Sequence, residues 1–286
     1  MRKTNWLLYA GITTIFWGIW GAFIEIPEKA GFPATLGYVV WVLTMIPCSL
    51  LALHFIKWKL DYDFRSIFLG SIVGLLGAGG QLILFQALRD GPAYIVFPLI
   101  SLFPILTIVL SMIFLKEKAT RKHWIGIVIA LVAILLLSYQ PASGKVSNGT
   151  TWLLLSVIVF ILWGLQAFVM KFSNNTMKAE SIFFYMMITG VLLIPVALWM
   201  TDFSKEVNWG FKGPYLAGMI HLLNAIGALT LVYALRYGKA IIVVPMTGLS
   251  PLITIIISLT IYSVLPGPVL IAGMVFAMIG IYLLSD

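Results

Sequence analysis

The chain has 286 residues, of which 61% are hydrophobic and 10% are charged, and its formal net charge is +8 at pH 7. Its mean hydropathy of +1.06 reflects more apolar surface than a soluble domain of this size can bury, which excludes a soluble protein. The basic residues lie on short loops beside apolar segments, as membrane topology requires, so we expect no nucleic-acid partner.

Ten apolar segments follow one another along the chain, and each is close to the ~20 residues that a helix needs to cross a bilayer. Residues 124–138 are apolar on every face, which excludes the alternating pattern of a membrane β-barrel. The sequence therefore predicts an all-α polytopic membrane protein with ten transmembrane helices. The predicted spans are residues 6–24, 35–56, 66–88, 93–115, 121–138, 150–171, 179–200, 212–235, 240–262 and 266–284.

The distribution of lysine and arginine predicts which membrane face carries the termini. Thirteen basic residues fall on one side of the ten spans and five on the other, and the basic side is normally cytoplasmic. We therefore expect a multi-pass protein of the cell (inner or plasma) membrane with both termini in the cytoplasm. The five basic residues on the other side are Lys29, Arg89, Lys145, Lys205 and Lys212.

The single cysteine, Cys48, lies in an apolar segment. With no second cysteine there is no intrachain disulfide, and a thiolate metal cluster is not expected. The sequence thus calls for no metal and no cofactor.

One polar segment resembles a linker. Residues 140–150, QPASGKVSNGT, contain proline, glycines and serines that interrupt a helix. They divide the chain into residues 1–139 and 151–286, each with five predicted spans. Because five is odd, the second half enters the membrane from the opposite side, so the halves form an inverted repeat.

A repeated stretch supports this division. Ala87–Ser111 recurs 147 residues later as Ala234–Ser258, with an arginine, a glycine and two prolines in register. Proline removes a backbone donor and bends a helix, so these prolines are candidate hinges, although a kink stabilised by a neighbouring helix is the alternative. The prolines are Pro98 and Pro104 in the first copy and Pro245 and Pro251 in the second.

Polar and aromatic residues deep in the spans are candidates for a solute pathway, because polar groups in hydrocarbon face protein or water. They form stripes at helical spacing on spans one, three, six and eight. Packing between helices and interhelical hydrogen bonds are the alternative explanation. The candidates are Thr13, Trp17, Trp20, Gln81, Trp163, Gln166, His221 and Asn224.

Charged residues near span ends are candidates for coupling or gating. Glu25 follows the tryptophans of span one, and its counterpart in the second half is Lys171. A buried Glu25 would be a protonatable coupling group, whereas a solvated one would only mark the interface. Arg89 and Arg236 end equivalent spans, where they can contact helix carbonyls or lipid phosphate, and gating is the second possibility.

Several motifs together resemble the EamA-type permeases of the drug/metabolite transporter superfamily. They are FWGIWGAF and ILWGLQAF, which open the two halves, the paired ALR..G..I..P..L..P segments, and FLKEKATRKHWIGIVIALVAILLL. The resemblance implies a ten-helix secondary transporter with a central pathway between inverted halves and with spans five and ten peripheral to it. It also implies that Glu117 matches the acidic residue after span four, which the second half lacks in TIYSVLPGPVLIAG.

The leading functional hypothesis is therefore a secondary-active transporter that moves a small metabolite by alternating access, with proton coupling as an option. A non-transporting scaffold or a lipid scramblase is the alternative. An intramembrane enzyme is disfavoured, because His54, His123 and His221 are far apart in the sequence and no HExxH, GxSxG or phosphate loop is present. The expected partners are a small-molecule solute, the lipid bilayer and, as one oligomeric option, a second copy in a homodimer.

Overall fold

A computed structural model describes residues 5–139, 150–262 and 266–285, and all regular structure in these ranges is helical. Most of the predicted linker, residues 140–149, lies outside them. In the first half, span one is Asn5–Phe23, which the short helix Glu25–Lys29 follows, span two is Ala34–Phe55, span three is Phe64–Asp90, span four is Ala93–Ser101 with Phe103–Phe114, and span five is Arg121–Leu137. In the second half, span six is Thr151–Ser173, span seven is Ala179–Leu192 with Ile194–Trp199, span eight is Leu216–Tyr237, which the π-helical turn Phe211–Tyr215 precedes, span nine is Ala240–Thr247 with Pro251–Tyr262, and span ten is Pro268–Leu284.

The ten predicted spans are confirmed. Eight of the described helical segments are long and apolar enough to cross a membrane. Spans five and ten have 17 residues each, at the short end of the ~17–25 residues that can cross a bilayer. With an even number of spans, both termini lie on one membrane face, which we call the terminal face; the other is the opposite face.

The helices pack between the two halves of the chain. Span one has its most extensive contacts with spans eight and nine, and span six has its most extensive contacts with spans three and four. Span three also packs on span seven, as span eight packs on span two. Counterpart spans are five apart in number. Replacing each span by its counterpart therefore turns the contact of spans one and eight into that of spans six and three, and the contact of spans three and seven into that of spans eight and two. This packing confirms the inverted repeat of five helices.

Two tryptophans fix the distance between the halves. In the Trp17 contact, the Trp17 Nε1 donates to the backbone oxygen of Asn224 at 3.3 Å, and the indole lies directly over Gly227, where an added Cβ would be 2.5 Å from Cδ1. Thr254 Oγ1 donates to the carbonyl of Gly18 at 2.8 Å. Glycine at position 227 is therefore required by the close approach of spans one and eight.

The same arrangement occurs in the inverted half. In the Trp163 contact, the indole Nε1 donates to the Gly77 oxygen at 3.4 Å, and an added Cβ on Gly80 would lie 2.6 Å from that nitrogen. Thr107 Oγ1 donates to the carbonyl of Gly164 at 2.9 Å. The equivalent residues are 146 or 147 positions apart, so the two contacts are copies of one structural unit.

Prolines interrupt the spans of the repeated stretch. Span four breaks at Leu102, and Pro104 lies in the first turn of its second helix. Span nine breaks between Thr247 and Pro251, which begins its second helix. Proline is tolerated in the first turn because its missing N–H would have no partner inside the helix there. Each of these two predicted spans is therefore two helices meeting at a break.

Span seven also breaks, although the sequence prediction treated residues 179–200 as continuous. The helix ends at Leu192, and a second one starts at Ile194 with Pro195 in its first turn. The cause is the same as in spans four and nine, since Pro195 cannot donate to the preceding turn.

Spans five and ten form an antiparallel pair with small residues at the interface. An added Cβ on Gly126 would lie 2.9 Å from the Leu283 side chain, and one on Gly280 would lie 3.3 Å from Ala130. Small residues let helix backbones approach closely where lipid supplies no hydrophobic driving force. The pair also contacts spans four and nine.

We expect Gly80→Ala and Gly227→Ala to lower stability, because each new methyl group must displace a tryptophan ring that is hydrogen-bonded across the two halves. Overpacking of this kind costs ~1–3 kcal/mol, although alanine itself favours a helix by up to ~1 kcal/mol. Thermal unfolding of the purified protein in detergent measures the effect. Gly79→Ala is the matched control, since nothing lies within 4 Å of its added Cβ; equal melting temperatures for Gly79→Ala and Gly80→Ala contradict the proposed constraint.

Candidate functional site

His221 is the one titratable side chain among the predicted pathway residues, and it is buried. His221 exposes 6% of its surface to solvent, and its Nδ1 accepts a hydrogen bond from Trp20 Nε1 at 3.2 Å. A neutral imidazole with an accepting Nδ1 carries its proton on Nε2. This Nε2 is buried and has no hydrogen-bond partner among the described residues, so the site holds an unused donor.

Trp41 supplies a second buried donor that the sequence analysis did not single out. Its Nε1 is also buried without a partner among the described residues. Trp41 lies four residues after Gly37, the glycine that the His221 Nε2 faces, so both positions lie on one face of span two. Tryptophan deep in a span is the signal that identified Trp17 and Trp20, and it applies equally to Trp41.

A buried donor without an acceptor costs ~1–3 kcal/mol relative to a paired one. His221 on span eight and Trp41 on span two therefore each carry a buried N–H that has no hydrogen-bond partner among the described residues. We call this pair the buried donors.

The predicted amide residues are half-buried on spans three, six and eight. Gln166 lies against span three, with its Nε2 at 2.1 Å from the position of an added Cβ on Gly77. The backbone oxygen of Asn224 is engaged in the Trp17 contact, while its side chain and that of Gln81 are partly exposed. Their role in a solute pathway stays a prediction.

Three of the other predicted pathway residues make contacts between helices. Thr13 Oγ1 shares a hydrogen bond of 2.8 Å with Thr230 Oγ1 and contacts the Gly227 carbonyl. Trp17 and Trp163 form the two tryptophan contacts. These geometries correspond to the packing alternative of the sequence analysis, and their role in a pathway stays a prediction.

Glu25 lies at the membrane interface on the opposite face. Its side chain is 67% exposed and pairs with Lys29, with 2.5 Å between the charged atoms. This geometry corresponds to the solvated alternative rather than to a buried coupling group. At such exposure the pair contributes little to stability.

Lys171, the counterpart of Glu25, is buried on the terminal face. Its Nζ donates to the carbonyls of Leu235 at 2.8 Å and of Gly238 at 2.6 Å, where a positive charge interacts favourably with the C-terminus of span eight. Glu117 lies 4.0 Å away, and the two side chains are 13% and 8% exposed. Glu117 in turn accepts from the amide of Ile241 at 3.1 Å, at the start of span nine.

The two repeated arginines have different surroundings. Arg236 Nη1 donates to the Met177 carbonyl at 3.0 Å and so connects span eight to the loop before span seven. Arg89 is exposed on the opposite face, with its Nε 3.4 Å from the carboxylate of Asp90. The two arginines therefore differ in their exposure and in these contacts.

We expect Lys171→Met to lower stability strongly, because it leaves the Glu117 carboxylate buried without its cation and two helix carbonyls without a donor. Removal of one partner of a buried ion pair costs ~3–5 kcal/mol. The double variant Lys171→Met with Glu117→Leu removes both charges and should recover part of the loss. Thermal unfolding of the three proteins measures this, and a double variant less stable than Lys171→Met contradicts the ion-pair explanation.

Known proteins match the chain over most of its length. A sequence model of the EamA-like transporter family matches it twice, over residues 4–139 and 150–286. Protein LicB of Haemophilus influenzae is 24% identical in an alignment of 280 positions that covers 88% of this chain and 94% of that protein. One solved crystal structure superposes with a TM-score of 0.81 at 14% identity and covers 99% of this chain and 96% of its own, which shows a shared fold.

A shorter relative is named as a flippase subunit. The probable 4-amino-4-deoxy-L-arabinose-phosphoundecaprenol flippase subunit ArnE of Hamiltonella defensa is 42% identical over 82 residues, which are 28% of this chain and 73% of that subunit. With the family match on both halves, this multi-pass membrane protein of two inverted five-helix repeats belongs to the EamA-like transporter family.

Proposed function

We propose that this protein is a secondary-active transporter that moves a small solute across the cell membrane by alternating access, with both termini in the cytoplasm. The observation that carries the proposal is the pairing of equivalent contacts between inverted halves, above all the Trp17 and Trp163 contacts. In an inverted repeat, each half can adopt the arrangement that its counterpart has, and this exchange opens the opposite membrane face. No catalytic role is proposed.

The solute is proposed to bind between spans two, three, six and eight. The buried donors, His221 and Trp41, would donate hydrogen bonds to an acceptor group of the solute. The amides of Gln81, Gln166 and Asn224 would donate to or accept from other polar groups of the solute. Burial of these groups without a partner is unfavourable, so a solute that satisfies them gains affinity. Trp20 would hold the His221 ring in place through its hydrogen bond to Nδ1.

Proton coupling is proposed to involve His221. Glu25, Glu117 and His221 are the titratable side chains considered for this role. Glu25 is two-thirds exposed on the opposite face, and Glu117 is engaged with Lys171 and Ile241. His221 alone combines burial with an unpaired atom among the described residues. A proton that enters at Nδ1 would break the bond from Trp20 and so couple protonation to the geometry of the site.

We expect Gln81→Leu and Asn224→Leu to reduce solute transport at unchanged expression, because each removes hydrogen bonds at the proposed site. A thermal-shift screen of amino acids, sugars, nucleobases, cationic drugs and lipid-linked sugars identifies a solute, since binding to the folded state raises its melting temperature. Flux into liposomes then measures transport of that solute.

The matched controls are Gln86→Leu, at the end of span three, and Asn175→Leu, on an exposed loop. Transport at the wild-type rate in both site variants removes the proposed site. If a solute stabilises the protein but neither the wild type nor any variant transports it, the protein is a non-transporting scaffold. If lipid moves between the leaflets without added solute, it is a scramblase.

The helix breaks generate a second prediction. Replacing Pro98 and Pro104 with alanine, or Pro245 and Pro251 with alanine, restores backbone donors and favours continuous spans four and nine. If the breaks act as hinges, transport slows by roughly tenfold, as for the loss of ~1.4 kcal/mol from an activation barrier, while the melting temperature stays the same or rises. Unchanged transport in both variants assigns the prolines to packing alone.

A further inference from the structure

We infer that two loop contacts, one on each membrane face, are the gates of the transporter, with Asp61 and Asn208 as the gating residues. This inference rests on the proposed alternating access. It assigns gating to residues other than the charged candidates at the span ends, and it is carried by a pair of contacts that the inverted repeat relates to each other.

The Asp61 contact closes the terminal face and consists of Asp61, Lys178, Ser181 and Tyr185. Asp61 lies in the loop between spans two and three. Its Oδ1 is 2.6 Å from Lys178 Nζ, and its Oδ2 accepts from the Lys178 amide at 2.7 Å and from Ser181 Oγ at 3.0 Å. Tyr185 OH donates to the Asp61 carbonyl at 2.7 Å. One loop of the first half is thus fixed to the start of span seven.

The Asp61 carboxylate is charged at neutral pH. Partial burial alone would raise its pKa, but the hydrogen bonds from Lys178 and Ser181 hold the pKa of Asp61 below its ordinary value. It also lies at the N-terminus of span seven, where the helix dipole favours a negative charge. Hydrogen bonds to charged groups are stronger than neutral ones, so the contact is well suited to hold two halves together.

The Asn208 contact closes the opposite face and consists of Asn208, Ala30 and Gly31. Asn208 lies in the loop between spans seven and eight. Its backbone N–H donates to the Gly31 carbonyl at 3.0 Å, and its side-chain Nδ2 donates to the Ala30 carbonyl at 2.8 Å. Gly31 has a φ of +92°, a left-handed conformation that glycine adopts without strain.

The two contacts are equivalent under the repeat. Asp61 and Asn208 are 147 positions apart, as are Gly31 and Lys178. Each contact joins the loop after the second span of one half to the loop before the second span of the other half. Both are formed in this structure, on opposite faces. Alternating access requires each face to open while the other stays closed, and these contacts are links between the halves, one on each face, that must break in turn.

The chemistry of the two contacts differs. The Asp61 contact includes an ion pair, whereas the Asn208 contact uses only neutral amide and carbonyl groups. Loss of the Asp61 carboxylate should therefore favour opening of the terminal face, and loss of the Asn208 amide should favour opening of the opposite face.

The test measures access to buried cysteines in nanodiscs, where both faces are open to reagent. In a Cys48→Ala background, Val232→Cys reports on the terminal face and Ala217→Cys on the opposite face. Both positions are buried; the Val232 carbonyl contacts Asn174 of the loop after span six, and Ala217 packs on Phe32 beside the Asn208 contact. Labelling by a hydrophilic maleimide gives a rate for each.

We expect Asp61→Asn to raise labelling of Val232→Cys by roughly tenfold, as for the loss of one charged hydrogen-bonded pair, with no rise at Ala217→Cys. Asn208→Ala should do the reverse. Lys178→Gln removes the same ion pair from the other side and guards against a folding defect at Asp61. Asp202→Asn is the matched control, because the contacts of that carboxylate with described residues, Ser204 and Lys205, lie within its own loop.

Unchanged labelling in Asp61→Asn, Lys178→Gln and Asn208→Ala overturns the inference. So does an equal rise at both reporter cysteines, since that indicates general loosening. The measurement needs no substrate, so its failure can be told apart from a failure of the transport assay. Face-specific labelling together with a protein that moves no solute supports the gates and rejects transport.

Discussion

The fold depends on the close contacts that Trp17 and Trp163, each followed in sequence by a glycine, make with a glycine of the opposing half. An indole is large and carries a single donor, so it can be buried against a helix only where no side chain intervenes and a carbonyl is available. Gly227 and Gly80 supply the space, and the oxygens of Asn224 and Gly77 supply the acceptors. In lipid, where burial of apolar surface does not drive helix association, such shape matching and hydrogen bonding hold the helices together.

These contacts also place the polar groups of the candidate site. Trp20 lies one turn after Trp17, and Asn224 lies one turn after His221, so the contact that fixes spans one and eight also sets the distance from Trp20 to the imidazole. The inverted half has Gln166 and Gly74 at the equivalent positions. The two halves therefore share a backbone frame while differing in the chemistry that faces a solute, and this difference allows one site to be built from a duplicated chain.

Much of the fold was predictable from the sequence, because span length and the register of Arg, Gly and Pro in the repeat are properties of the chain itself. The candidate site was less predictable. An indole such as Trp17 can line a pathway or donate across an interface, and only the position of the Asn224 carbonyl decides between these. Lys171 and Glu25 are equivalent in sequence, yet one is buried under Glu117 and the other is solvated, because their surroundings come from distant segments.

The loop contacts were missed for a related reason. Asp61 and Asn208 differ in residue type, and so do Lys178 and Gly31, so sequence identity between the halves does not reveal them. Bends in spans four and nine were predicted because their prolines recur in register, although Pro98 and Pro245 lie inside helices. Pro195 in span seven has no proline counterpart at position 48, which is Cys48.

The packing of span one on spans eight and nine has a consequence for biosynthesis. Translation proceeds at ~5–20 residues per second, so roughly 10 to 50 s pass between the emergence of Trp17 and that of Thr254. During this interval the first half is in the bilayer with Trp17 and Thr13 facing lipid or transient neighbours. The nascent protein must therefore be retained by the insertion machinery, or protected from premature pairing and proteolysis, until its second half arrives.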